Sequence, residues 1–189
     1  MSSMIPMEVL CVWLDPRPEG QYVLIFKETD GNRALPMPID PHQARAIQWA
    51  LDEVEVERPM THDLFVSSML QLGATIERVE VAGYDDGCYT ANIVLKHNGR
   101  LVTIDARPSD GAAVALRCGA PVFASDEVLR VSGATLTEEA GGFTLATRQW
   151  SSEVRQGEVT EEDTRDLEEF RRIISEVNLE DDEGSTTAS

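Results

Sequence analysis

Strands that come in groups, with helices inserted between the groups, predict an α+β fold: an antiparallel or mixed sheet with three packed helices and a C-terminal amphipathic helix. Three observations carry this expectation. Short apolar, β-branched runs cluster at residues 9–39 and again at 75–107. The second cluster is punctuated by Asp85-Asp86-Gly87 and His97-Asn98-Gly99, both strong hairpin turns. Between and after the clusters, apolar residues recur at helical spacing.

The elements follow in order. Val9 to Leu14 and Tyr22 to Lys27 flank a turn from Pro16 to Gly20, and Ala34 to Ile39 follows Asp30-Gly31-Asn32, so the chain opens as a meander. Asp40 and Pro41 form an N-cap and first-turn pair, starting a helix to about Glu53 whose Ala44, Ile47 and Leu51 share one face. Trp49 falls on the other side, where a second subunit would cover it. A second helix runs from an N-cap at Thr61 to Gly73, with Phe65, Val66, Met69, Leu70 and Leu72 in a broad apolar arc. Strands are expected at Thr75 to Ala82, Tyr89 to Lys96 and Leu101 to Arg107. A third helix, Ser109 to Cys118, ends at Gly119, and its small residues suit tight packing on the sheet.

The chain has 189 residues, 42% of them hydrophobic, enough for a real core. Its domain reads as residues 1–131. Residues 132–159, rich in Gly, Thr, Ser and Glu, read as a flexible connector. An amphipathic helix is expected over 160–180, where Leu167, Phe170, Ile173, Ile174 and Val177 recur at helical spacing, and a disordered acidic tail over 181–189. The net charge is −18, split as −8 for residues 1–131 and −10 for the remainder. That balance excludes a basic nucleic-acid clamp. Cys11, Cys88 and Cys118 are odd in number and lack C-x-x-C spacing, so a disulfide framework or structural zinc is not expected and reducing cytoplasm fits. All three read as packing residues. Neither a secretory leader nor a membrane span is indicated.

Chemistry concentrates at two helix starts. In Asp105-Ala-Arg-Pro-Ser-Asp110 a strand end runs into a helix, with Asp105 and Arg107 expected on one strand face, Ser109 capping and Asp110 in the first turn. Two carboxylates beside a phosphate require a bridging divalent cation, Mg²⁺ or Mn²⁺. The structural alternative is a cap, a dipole partner and an Asp105–Arg107 pair. In Arg58-Pro-Met-Thr-His-Asp63, His62 is the side-chain type suited to a general base or metal ligand, while Thr61 and Asp63 cap and complement the helix. His42 beside Pro41 is a weaker candidate, and His97 is a turn residue. Phosphate-loop, serine-hydrolase and zinc-protease motifs are absent.

At these residues the chain resembles the bifunctional nuclease family, found in bacteria and plants. The likeness runs from about Met7 to Val131. It comprises the Leu35 to Ile39 strand leading to the Gln43 to Ile47 helix, the Arg58 to Leu64 stretch, and Asp105 to Asp110 followed by Ala113 to Leu116. Glu168 to Arg172 is similar to a short C-terminal helix in many members. Gly111 departs from the pattern, replacing a better helix former at a cost of about 1 kcal/mol relative to Ala. The resemblance implies a mixed α+β fold, self-association with a dimer as the expected state, and cleavage of both DNA and RNA in some members. It brings no catalytic set, so roles come from the residues themselves. Asp105 and Asp110 would hold Mg²⁺ or Mn²⁺, Arg107 and Arg58 would stabilise phosphate charge, and His62, oriented by Asp63, would activate water. With net −8 over the domain, substrate DNA or RNA should bind weakly and with strong salt dependence. The rival readings are a non-enzymatic binding or regulatory module whose acidic tail docks a basic partner, and a nucleotide or small-molecule sensor.

Overall fold

A computed structural model of the chain describes residues 3–15, 20–85, 87–139, 142–146 and 151–155. Its elements are β1 (Met4–Leu14), β2 (Tyr22–Glu28), β3 (Arg33–Ile39), α1 (Pro41–Leu51), α2 (Thr61–Gln71), β4 (Ala74–Asp85), β5 (Cys88–His97), β6 (Arg100–Ala106), α3 (Pro108–Cys118), β7 (Val122–Ser125), α4 (Asp126–Ser132), β8 (Ala134–Glu139), β9 (Gly142–Ala146) and β10 (Ser151–Arg155). The strands form one mixed sheet in the order β10-β9-β8-β3-β2-β1-β7-β4-β5-β6. The fold is α+β. The helix expected over 160–180 and the tail at 181–189 lie outside the described residues.

Two hairpin systems meet at the middle of the sheet. β1, β2 and β3 form the expected antiparallel meander, and β4, β5 and β6 pair antiparallel through the two turns. In the second turn Asn98 and Gly99 both take positive φ, at 49° and 74°, the backbone an Asn-Gly hairpin turn needs. β7 joins the two systems, antiparallel to β1 and parallel to β4. That parallel pairing requires a crossover from the edge strand β6 back to the centre, and α3 is the element that makes it. The four-residue β7 and the short α4 were not expected. A run of four residues carries too little periodicity to announce itself, and its pairing is entirely long-range.

Residues 132–159, expected as a flexible connector, instead hold β8 and β9, paired antiparallel from Thr135↔Ala146 to Glu139↔Gly142. The physical reason lies in β2. Its residues alternate between two cores: Leu24 and Phe26 face the helices, whereas Val23 and Ile25 face a second cluster built with Ala134, Leu136, Phe143 and Leu145. A continuous apolar strand is covered on both faces, and β8 and β9 supply the second cover.

The helical face is the main core. Ile47 of α1, Val66 of α2 and Ala112 to Ala115 of α3 pack with Val79, Val81, Ile93 and Leu95. Asp40 caps α1 as expected, accepting from His42 N–H at 2.8 Å and Gln43 N–H at 2.9 Å while Gln43 Oε1 accepts from Asp40 N–H. Gly111 has a packing role that propensity alone misses. A Cβ built there would stand 2.7 Å from Val79 Cγ1, a fully buried β-branched side chain with little room to turn. The glycine therefore lets α3 sit close on β4.

Of the cysteines, Cys11 packs as expected, against the second core, and burial pushes its thiol up to about 11. Cys88 and Cys118 are exposed, a departure from the packing role expected of all three. Among the described residues no helix is long and apolar enough to cross a membrane.

Phe143→Ala is expected to cost about 3 kcal/mol in urea denaturation, the range for emptying a buried aromatic site. A loss below about 0.5 kcal/mol would restore the connector reading of this segment. Gly111→Ala sets about 1 kcal/mol of gained helix propensity against an overpacking penalty of roughly 1–3 kcal/mol. The penalty wins, so the variant should be less stable by about 1 kcal/mol, and a stabilised variant would show that α3 has slack on the sheet.

Candidate active site

α2 and α3 start from opposite ends of the chain's topology, one following the α1 loop and one following the edge strand, yet their first turns meet. His62 Nε2 lies 3.2 Å from Asp110 Oδ1. Arg107 grips the same carboxylate, donating from Nε to Oδ2 at 2.8 Å and from Nη2 to Oδ1 at 3.3 Å. Arg107 is the N-cap residue of α3 and Pro108 its first helical residue, so the chain turns before the helix rather than at Ser109. Ser109, expected as the cap, is instead buried inside the first turn.

The state of Asp110 follows from its neighbours. Burial is the largest single influence and pushes its carboxyl upward, but the hydrogen bonds and charges of Arg107 and His62 together outweigh it and hold the group below the usual carboxylate range. An ionised carboxylate only accepts, so Nε2 of His62 carries the proton in this contact. In the neutral ring, Nδ1 then keeps its lone pair. Among the described residues no hydrogen bond engages Nδ1, and the His62 side chain retains 19% exposure. Arg107 is far more open, at 65%.

Asp63 does something other than orient His62. Its Oδ2 accepts from Met60 N–H at 2.8 Å, closing the N-terminus of α2 at Met60 rather than Thr61. Its Oδ1 accepts from Arg117 Nε at 2.5 Å. Arg117 is only 10% exposed and also donates from Nη1 to the carbonyls of Ala46, at 3.1 Å, and Ala113, at 2.9 Å. One guanidinium thus ties α1, α2 and α3 together. Sequence reasoning missed Arg117; the available signal was a charged residue inside an otherwise small, apolar helix.

Two expected members stand apart. Asp105 is exposed on β6, opposite Asn92, on the strand face shared with Leu101 and Thr103. Ile104 and Ala106 take the other face, against the core under the helices. Asp105 therefore neither shares a site with Asp110 nor pairs with Arg107. The two carboxylates expected to hold a cation are separated by the sheet, and both oxygens of Asp110 are already engaged. Among the described residues no group of three or more His, Cys, Asp or Glu side chains gathers as a metal site. The donor set does not fit a protein-built Mg²⁺ or Mn²⁺ cage. Arg58 is exposed in the loop between α1 and α2 and makes no hydrogen bond or ion pair among the described residues. His42 serves the α1 cap through its backbone. His97, at the hairpin turn, sits 3.3 Å from the Gly73 carbonyl through Nδ1.

What remains is a histidine held by a carboxylate, with an exposed guanidinium beside it at a helix N-terminus. The model of the bifunctional nuclease domain matches residues 24–137, a span holding every one of these side chains. The chain belongs to the bifunctional nuclease domain family. It is 30% identical over 165 residues to an uncharacterized protein of Mycobacterium tuberculosis (strain CDC 1551 / Oshkosh), covering 87% of this chain and 90% of that protein. A second uncharacterized protein, from another strain of that organism, matches with the same identity and coverage. Membership in the bifunctional nuclease domain family suggests a nuclease-like function and binding of nucleic acid.

Because Asp110 is held ionised, its contribution to stability is fully present above the ordinary carboxylate value of 3.8 and is lost as pH falls past the lower folded-state value. Urea midpoints of the native chain and Asp110→Asn should therefore differ at neutral pH and converge as pH drops below about 3.8. A gap that stays constant through that range would show that the carboxylate is not stabilised by Arg107 and His62.

Proposed function

We propose that the chain hydrolyses phosphodiester bonds of DNA and RNA at the His62–Asp110–Arg107 cluster. The observation that carries this reading is the 3.2 Å contact that holds His62 Nε2 on an ionised carboxylate. A base fixed by an acidic partner has the arrangement that general acid–base chemistry requires. Nδ1 takes the proton from an attacking water as its oxygen bonds to phosphorus, Asp110 stabilises the imidazolium that forms, Arg107 with the N-terminus of α3 faces the phosphate charge that grows on attack, and the P–O bond to the leaving sugar oxygen breaks, that oxygen taking a proton from solvent water. Arg107 already spends two donors on Asp110, and its remaining N–H groups, on a side chain 65% exposed, make no other hydrogen bond among the described residues and are free for a phosphate oxygen. Asp63 and Arg117 act at one remove, as positioning residues.

This assignment differs from the expected one in three roles: Asp110, not Asp63, orients the histidine, Arg58 takes no part, and no step is routed through a cation. Mg²⁺ or Mn²⁺ dependence is a separate proposal, in which an ion arrives with the substrate phosphates and borrows few protein ligands. The acidic balance of the chain supports weak, salt-sensitive binding.

Purified protein assayed on DNA and RNA should lose at least about a hundredfold in rate on His62→Asn, with Asp110→Asn losing a comparable factor. Parallel assays with Mg²⁺, Mn²⁺ or EDTA read the cation requirement. If both variants fold and cut as fast as the native protein, the activity comes from a contaminant and the binding-module reading replaces this one.

A further inference from the structure

A groove of about 260 Å³ opens next to the cluster, between the end of α1, the loop that follows it and α3. Trp49, Val54, Met60 and Leu116 give it apolar walls, and Asp63 and Arg117 lie along it. Asp63 and Arg117 are paired with each other and Glu53 adds one carboxylate, so the polar edge offers donors and acceptors and is mildly negative. A phosphate is repelled there, and one exposed carboxylate holds a free cation only weakly. A planar, neutral group with an apolar face and a hydrogen-bonding edge gains most. The volume falls just under the roughly 300–1,000 Å³ of pockets for drug-sized ligands, which suits one small ring system.

Position narrows the choice. Asp63 lines the groove, and the preceding residue, His62, belongs to the cluster. Along α3, Arg117 and Asp110 are two helical turns apart, about 10.5 Å of rise. A ring lodged beside Arg117 therefore leaves an attached sugar–phosphate chain running toward Arg107 and His62. Arg45, whose guanidinium stands over one face of the Trp49 ring at 5.6 Å from its centroid, adds positive charge beside that ring and leaves the other face for stacking.

We propose that this groove receives an unpaired nucleobase of single-stranded DNA or RNA, stacked on Trp49, and so selects single strands for the neighbouring cluster. The inference rests on the nuclease reading of that cluster. A base inside a duplex is stacked and paired and cannot enter, whereas every unpaired base has a π-face to offer, which makes the groove tolerant of sequence.

The test uses full-length protein carrying Trp13→Phe and Trp150→Phe, so that Trp49 is the fluorescent reporter. Phosphorothioate oligothymidylate, phosphorothioate oligouridylate and a phosphorothioate DNA duplex are titrated in. Both single strands should quench Trp49, and the duplex should not. Trp49→Ala should weaken single-strand binding about tenfold, read by anisotropy of a labelled strand, while Trp49→Phe stays near the native value. Val54→Glu, at an exposed loop position, obstructs the same groove without altering α1 and should weaken binding as well. Equal quenching by the duplex, or single-strand affinity unchanged in both Trp49→Ala and Val54→Glu, would overturn the proposal. Cleavage is scored separately. If cutting depends on His62 but Trp49→Ala leaves affinity and KM intact, the groove falls and the nuclease stands; if Trp49 reports base binding and nothing is cut, the nuclease reading falls and the groove stands.

Discussion

One buried guanidinium sets the geometry on which the site depends. Arg117 reaches the Asp63 carboxylate and the carbonyls of Ala46 and Ala113, and so binds three helices at one point. A planar fork with donors in fixed directions can serve those acceptors together; a lysine ammonium on a flexible stem cannot hold the same registry. A largely enclosed guanidinium paired with a carboxylate that is 30% exposed adds little net stability, because desolvation and solvent screening offset much of the attraction. Its contribution is to position. Asp63 uses its second oxygen to close the start of α2 at Met60, and with that turn fixed the adjacent His62 is delivered to Asp110.

The rest of the architecture makes that meeting possible. α3 is a crossover, required because β7 lies parallel to β4, and its path from the sheet edge to the centre carries Asp110 across the helical face. Gly111 allows the helix to approach Val79 closely enough for the contact to form. β8 and β9 act at the opposite face, sealing Val23 and Ile25 so that β2 can be apolar from Tyr22 to Phe26. The cluster is a local exception to the chain's charge. The net charge is −18, yet at the cluster one carboxylate is answered by an arginine and a histidine, and the neighbouring groove presents a paired Asp63 and Arg117.

Local signals made much of this legible in the sequence. Asp40 and Pro41 marked the start of α1, the two Gly-containing turns marked the β4–β5–β6 hairpins, and the motif at Arg107 to Asp110 marked the start of α3. His62, Arg107 and Asp110 could be singled out as residue types suited to phosphate chemistry. Which carboxylate faces the histidine could not, because that is decided by how two distant helices cross. Asp105 looked equivalent to Asp110 in composition, but strand alternation sends it to the other face of the sheet. The β8–β9 segment was misread because Gly and Thr suggest a loop, while its buried residues, Leu136, Phe143 and Leu145, matter only once β2 is known to need cover. That need was in fact written in the unbroken run from Tyr22 to Phe26.

The two separate helix starts are energetically one site, and a stability double-mutant cycle on His62→Gln and Asp110→Asn at neutral pH measures this directly. The expected coupling is about 0.5–1 kcal/mol or more in the native chain, shrinking when the cycle is repeated in an Arg117→Met background. Additivity within about 0.3 kcal/mol in the native chain would contradict it, since side chains that do not touch do not couple.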